Sequence, residues 1–125
     1  MGRTLLPQEV ETYYIIPTIR RYFAQFLKET GMKQVEIAKI FNVKTATISQ
    51  YINTKRGHQI NFDKETIKEI KPTIPRIKDT LSYLKETQHL LKFMRKTHAL
   101  CTIHKHLSTV PEGCEPETVG CHHEH

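Results

Sequence analysis

Two groups of residues in this 125-residue chain have the types and spacing to do chemistry. The first comprises Gln34, Lys44, Thr45, Thr47, Ser49, Gln50 and Asn53, with Lys55 and Arg56 just beyond. Glutamine can contact adenine with both ends of its amide. Threonine can donate to a base or rest its methyl on thymine. Lysine and arginine neutralise phosphates. The second group lies at the C-terminal end: Cys101, His104, Cys114 and Cys121. Three thiolates and one imidazole would close a tetrahedral zinc site. Three thiolates could also hold an iron–sulfur cluster, with His104, another histidine or an exogenous group on the last iron. Inert cysteines acting as small hydrophobes are the third reading.

The first group needs two short helices to position it. Residues 33–41 and 44–53 read as such a pair, with Asn42 in the turn, since asparagine tolerates positive φ. Ile37, Ala38, Phe41, Val43, Ile48 and Tyr51 or Ile52 fall where two packed helices need apolar or small side chains. Ala38 sits mid-helix, where a larger side chain would push the partner away, and Val43 reads as a small apolar plug. The polar residues from Lys44 onward are then left on the outer face of the second helix. A helix of that surface fits the major groove, with residues near its N-terminus at the base edges.

The run Q-x-x-I-A-K-x-F-N-V-x-x-x-x-I-S-Q-Y-I stands here as Gln34 to Ile52, followed by T-K-R-G. It resembles the helix-turn-helix of the XRE (phage repressor and Cro-like) regulators, especially archaeal members with a cysteine-bearing tail. The likeness covers roughly Pro17 to Gly57. Many members have Gly in the turn where this chain has Asn42. Several carry a second Cys where this chain has His104. The resemblance implies an all-α, sequence-specific DNA-binding regulator. It implies Thr45, Thr47 and Gln50 as base readers, and favours an iron–sulfur cluster over zinc. Gln34, Lys44, Ser49, Lys55 and Arg56 are better placed for phosphates, and Asn53 completes the outer face.

The charge agrees with a nucleic-acid partner. The net charge is +6. Residues 17–57 hold eight Lys or Arg (Arg20, Arg21, Lys28, Lys33, Lys39, Lys44, Lys55, Arg56) against two acids, Glu29 and Glu36, and the remainder is balanced. The whole excess therefore falls on the segment with the groove-reading pattern. No apolar run approaches the ~20 residues of a membrane span. The opening MGRTLLPQEVETYYIIP lacks the uninterrupted apolar stretch of a secretory leader. A cytoplasmic protein is expected, and an odd count of three cysteines argues against disulfides.

The pattern divides the chain into four parts. Residues 1–16 form an arm, interrupted by Pro7, whose Tyr13, Tyr14, Ile15 and Ile16 dock on the body or on a second subunit. Residues 17–62 form the DNA-binding domain, whose first helix starts at Pro17, carries Ile19, Tyr22, Phe23, Phe26 and Leu27, and stops at Gly31. Residues 63–100 form a helical linker and dimerisation region. Asp63 caps a short helix, Pro72 and Pro75 break the chain, and a long amphipathic helix follows. Ile74, Ile77, Leu81, Leu84, Gln88 and Leu91 recur at three and four residues, a stripe that reads as a core-covering amphipathic face and as a homodimer interface at once. Leu90, Phe93 and Met94 widen it. Residues 101–125 form a small Cys/His-rich module, rich in turns, with all three cysteines and five of the eight histidines. His106, His122, His123 and His125 fit an extra metal site or a solvated tail. His58, His89 and His98 read as surface histidines.

No glycine-rich phosphate loop, H-E-x-x-H helix or paired-carboxylate set is present, so an enzyme is not expected. The rival reading is an antitoxin-like or protein-assembly module with a structural zinc site.

Overall fold

The computed structural model describes residues 5–53, 56–57, 60–99 and 102–103. Among these the regular elements are all helical. None of the helices is long and apolar enough to cross a membrane.

The chain enters through α1 (Pro7–Val10). The Leu6 N–H donates to Glu9 Oε1 at 2.9 Å, which satisfies one orphan donor of the first turn. Pro7 occupies the start of this helix, where its missing N–H costs nothing, so it opens the segment rather than interrupting it. One π-helical stretch, Glu11–Ile15, then leads straight into α2 (Ile16–Glu29). The widening has a local cause. Pro17 cannot donate, and its ring would crowd the carbonyl four residues back in a regular helix. Instead the Ile16 N–H bonds to the Glu11 carbonyl, and the Thr18 hydroxyl donates to the Tyr14 carbonyl at 2.7 Å. The expected arm is thus helical and packs on this chain's own body, with Leu5, Val10 and Ile15 inside the core. Tyr13 remains exposed.

Helix α2 buries Ile19, Phe23, Ala24 and Leu27, one stripe at helical spacing. Gly31, at φ +99°, ends its C-terminal turn. Across that stripe lie α3 (Gln34–Phe41) and α4 (Thr45–Ile52). Asn42 joins them at φ 57°, ψ 48°, as its type predicts. The Val43 N–H reaches back to the Ala38 carbonyl at 3.0 Å, closing the helix end. Ile37, Ala38, Phe41, Ile48 and Tyr51 are buried, as their spacing requires, and so is Ile40. Val43 is not a plug: it is 38% exposed, because the left-handed turn at Asn42 swings it outward.

Two short elements follow, α5 (Lys64–Ile70) and a 3-10 stretch (Lys71–Arg76) that holds Pro72 and Pro75. Asp63 caps α5, accepting from the Thr66 N–H at 2.8 Å. The long helix α6 (Thr80–Lys96) begins at Asp79, which accepts from the Ser82 N–H at 2.8 Å. Its buried face is Tyr83, Thr87, Leu90, Leu91 and Met94. The expected stripe from Ile74 to Leu91 is therefore not one helix face. Ile74 and Ile77 are core residues ahead of α6, Leu91 faces the core, Gln88 is exposed, and Leu81 and Leu84 are 61% and 53% exposed. Tyr83, Thr87, Leu90, Leu91 and Met94, spaced by three and four, form the inward face, and Leu81 and Leu84 fall outside it.

Tyr83 joins the layers. Its ring stacks on Phe41 at 4.3 Å and meets Phe23 edge-on at 6.2 Å. Its hydroxyl accepts from Arg20 Nε at 3.1 Å. Burial raises the Tyr83 phenol above its ordinary value, with the Arg20 charge opposing.

Candidate nucleic-acid interface

Helix α4 offers the surface that the sequence predicts. It turns Ile48 and Tyr51 into the core and leaves Thr45, Ala46, Gln50 and Asn53 exposed, with Lys44 just before it. Thr47 and Ser49 are half-buried at the margin of that face. Residues spaced by one, four, five and eight share one side of a helix, so the pattern follows from burying 48 and 51. Gln25 secures the far end of α4: its amide Nε2 donates to the carbonyls of Tyr51 and Ile52 at 3.4 and 3.5 Å. The Asn53 side chain donates to the Ser49 hydroxyl at 3.3 Å.

The helix N-termini differ in charge. Helices α5 and α6 are capped by carboxylates, which occupy their first free N–H groups. Helices α3 and α4 have lysines at the capping position, Lys33 and Lys44, and neither is capped by a side chain. Their leading amides carry the positive end of the helix dipole; α4 has no acid in its first turn, whereas α3 has Glu36 there beside Lys33. Gln34, half-buried, opens α3 beside Lys33. The sequence pointed to Lys44 and Gln34 but missed Lys33. The signal was present in the matching Lys-polar starts, Lys33-Gln34 and Lys44-Thr45.

The basic surface is smaller than the charge count suggests. Arg21 is only 7% exposed. Its Nη2 donates to Asn61 Oδ1 at 2.8 Å and to the Ile60 carbonyl at 3.3 Å. Its guanidinium lies 4.6 Å from the Tyr22 ring centroid, and among the described residues its Nε has no acceptor. Arg20 is engaged with Tyr83. These two cations hold the fold together and leave Lys28, Lys33, Lys39, Lys44 and Arg56 as the exposed ones described in this region.

Arg56 has a defined place. Its Nε donates to Gln50 Oε1 at 2.9 Å, and its guanidinium lies 6.0 Å from the Tyr51 ring centroid. Gly57 fixes the turn that carries it. At φ +72°, a Cβ there would stand 2.3 Å from the Pro17 carbonyl oxygen, so only glycine lets the chain cross α2 this closely. Beyond it, Tyr22 stacks on Phe62 at 5.2 Å and accepts from the Phe62 N–H at 3.3 Å.

Lys55, Cys101, His104, Cys114 and Cys121 lie outside the described residues, as do His58, His106, His122, His123 and His125. Among the described residues, no group of three or more His, Cys, Asp or Glu could hold a metal ion. His89, read as a surface histidine, pairs with Glu69 at 2.6 Å and ties α6 to α5.

Comparison with protein-family models, with curated proteins and with solved structures gave no match.

Proposed function

We propose that this chain is a sequence-specific double-stranded-DNA-binding regulator, acting as a homodimer, with α3 and α4 as its helix-turn-helix. One observation carries the reading. The outer face of α4 is accessible and holds only hydroxyl, amide and small side chains, while lysines and uncapped amides begin α3 and α4. Such a face suits base edges, and such helix starts suit phosphates. Thr45, Thr47 and Gln50 read bases. Gln34, Lys44, Ser49 and Lys55 hold the backbone, and Asn53 borders the contact. Lys33 joins them as a phosphate contact. In a two-fold dimer the half-sites lie about one helical turn apart.

The Cys101, His104, Cys114 and Cys121 set enters on its donor chemistry alone. Thiolates with one imidazole suit an iron–sulfur cluster, or alternatively zinc. Occupancy would regulate DNA binding only through a different affinity for the DNA-bound and free arrangements.

Titration of labelled duplex DNA with the full chain tests the reading. Binding should weaken linearly in logarithmic salt. Lys44→Ala should weaken all sequences alike and lower the slope by about one unit. Gln50→Ala should cost about 1–3 kcal/mol on the preferred site and flatten its preference. Binding that ignores salt, or is absent, overturns the proposal.

A protein-assembly role, antitoxin-like, is the second reading. The exposed Leu81 and Leu84 of α6 favour a protein contact of some kind. Light scattering on the purified chain separates the two: a homodimer supports the regulator, and a stoichiometric second polypeptide supports the rival.

A further inference from the structure

The geometry points to Arg56 as the residue that sets what Gln50 reads, turning its preference from adenine towards guanine. The inference rests on the DNA-binding reading above. Arginine has N–H donors and no acceptor. The end of the Gln50 amide that faces Arg56 Nε at 2.9 Å must therefore be the oxygen. Amide orientation, usually ambiguous, is decided here by the chemistry of the partner.

The pair then presents hydrogen-bond donors. Gln50 Nε2 retains two N–H groups, and the Nη groups of Arg56 retain four. Among the described residues, none of these makes another hydrogen bond. Arg56 is itself held, by its contact with the Tyr51 ring and by the Gly57 turn against Pro17. Arg56 is thus anchored at its own end, and the exposed Gln50 meets it from the outer face of α4.

Adenine offers N7 as an acceptor and its amino group as a donor, whereas guanine offers two acceptors, N7 and O6. The usual glutamine–adenine contact needs Oε1 to accept from the adenine amino group. Here one of the two lone pairs of Oε1 accepts from a cation, and the guanidinium charge beside it disfavours a base donor at the other. Guanine meets only donors and a favourable field. Arg56 is thus a positioning residue, acting through Gln50, rather than only a phosphate contact.

The test is selection of bound duplexes from a randomised pool by the full-length protein and by Gln50→Ala, Arg56→Ala and Arg56→Lys. The position that flattens in Gln50→Ala is the one Gln50 reads. The wild-type protein should prefer guanine over adenine there. Arg56→Ala should move that position towards adenine, by roughly fivefold or more, and leave the other positions unchanged. Arg56→Lys, which keeps the charge and three donors, should stay nearer to guanine than Arg56→Ala while keeping the salt dependence of the wild type.

Guanine preference that survives in Arg56→Ala overturns the inference and leaves Arg56 a backbone contact. Wild-type preference for adenine at that position overturns it too. If the wild-type chain shows no salt-dependent DNA binding, the regulator reading falls and takes the inference with it. The two failures are therefore distinct.

Discussion

Arg95 meets Glu11 side by side: Nε donates to Oε2 at 2.8 Å and Nη2 to Oε1 at 2.9 Å. Their side chains are 28% and 11% exposed, so the pair is screened from much of the solvent. It closes the π-helical turn near the N-terminus onto the last turn of α6. Arg95→Met removes both donors from a mostly buried carboxylate. Its expected cost is about 2 kcal/mol, read as a lower urea midpoint. The double variant Glu11→Leu/Arg95→Met should cost less than the two single changes together, because no unpaired charge remains. Additive losses would mean that the pair contributes no coupling.

Gly57 and Gly31 both have positive φ, but their surroundings differ. A Cβ at 57 would collide with the Pro17 carbonyl, while one at 31 would meet nothing within 4 Å. Gly57→Ala should therefore destabilise by about 2–4 kcal/mol, and Gly31→Ala by only about 1 kcal/mol, its backbone share. Thermal unfolding of the two variants checks this, with the larger fall in midpoint at residue 57. Equal falls would show that α2 yields at Pro17.

Acid should loosen the second half of the chain through its helix caps. Hydrogen bonds from the Thr66 hydroxyl and then its N–H hold the Asp63 carboxyl below its ordinary 3.8. The Ser82 N–H and then its hydroxyl do the same for Asp79. A lowered carboxyl contributes stability that is fully present above the unfolded value and is lost as pH falls through the folded one. Urea midpoints should thus be insensitive to these caps above about pH 5 and decline below about pH 4. Asp63→Ala should cost about 1 kcal/mol at pH 7, and less against wild type at pH 2. A difference that does not shrink in acid would remove the cap from the account.

The helices flanking Asn42 were legible in the sequence because their signals are local. Asn42 tolerates the left-handed turn, Ala38 permits close packing, and Ile37, Phe41, Ile48 and Tyr51 recur on one face. The Asp63 cap and the glycine stop at residue 31 were legible for the same reason. The continuous helical path from Pro7 was not. A proline reads as an interruption unless the widened turn before Pro17, and the Thr18 hydroxyl beneath it, can be seen.

Sequence alone determined which residue types stand on the outer face of α4, since a helical period and two buried positions leave no other arrangement. It also determined where the positive charges lie along the chain. Only the tertiary structure decided which of them reach solvent. Arg20 and Arg21 are spent on Tyr83, Ile60 and Asn61, partners 39 to 63 residues away. It decided likewise that Arg56 meets the Gln50 oxygen, and that Leu81 and Leu84 face outward while Tyr83 turns in. The Gln50–Arg56 bond spans only six residues and needs the Gly57 turn; for the other two the reason is common. A hydrogen bond or a buried face between segments far apart in the chain depends on how the helices cross, and periodicity within one helix carries no record of that crossing.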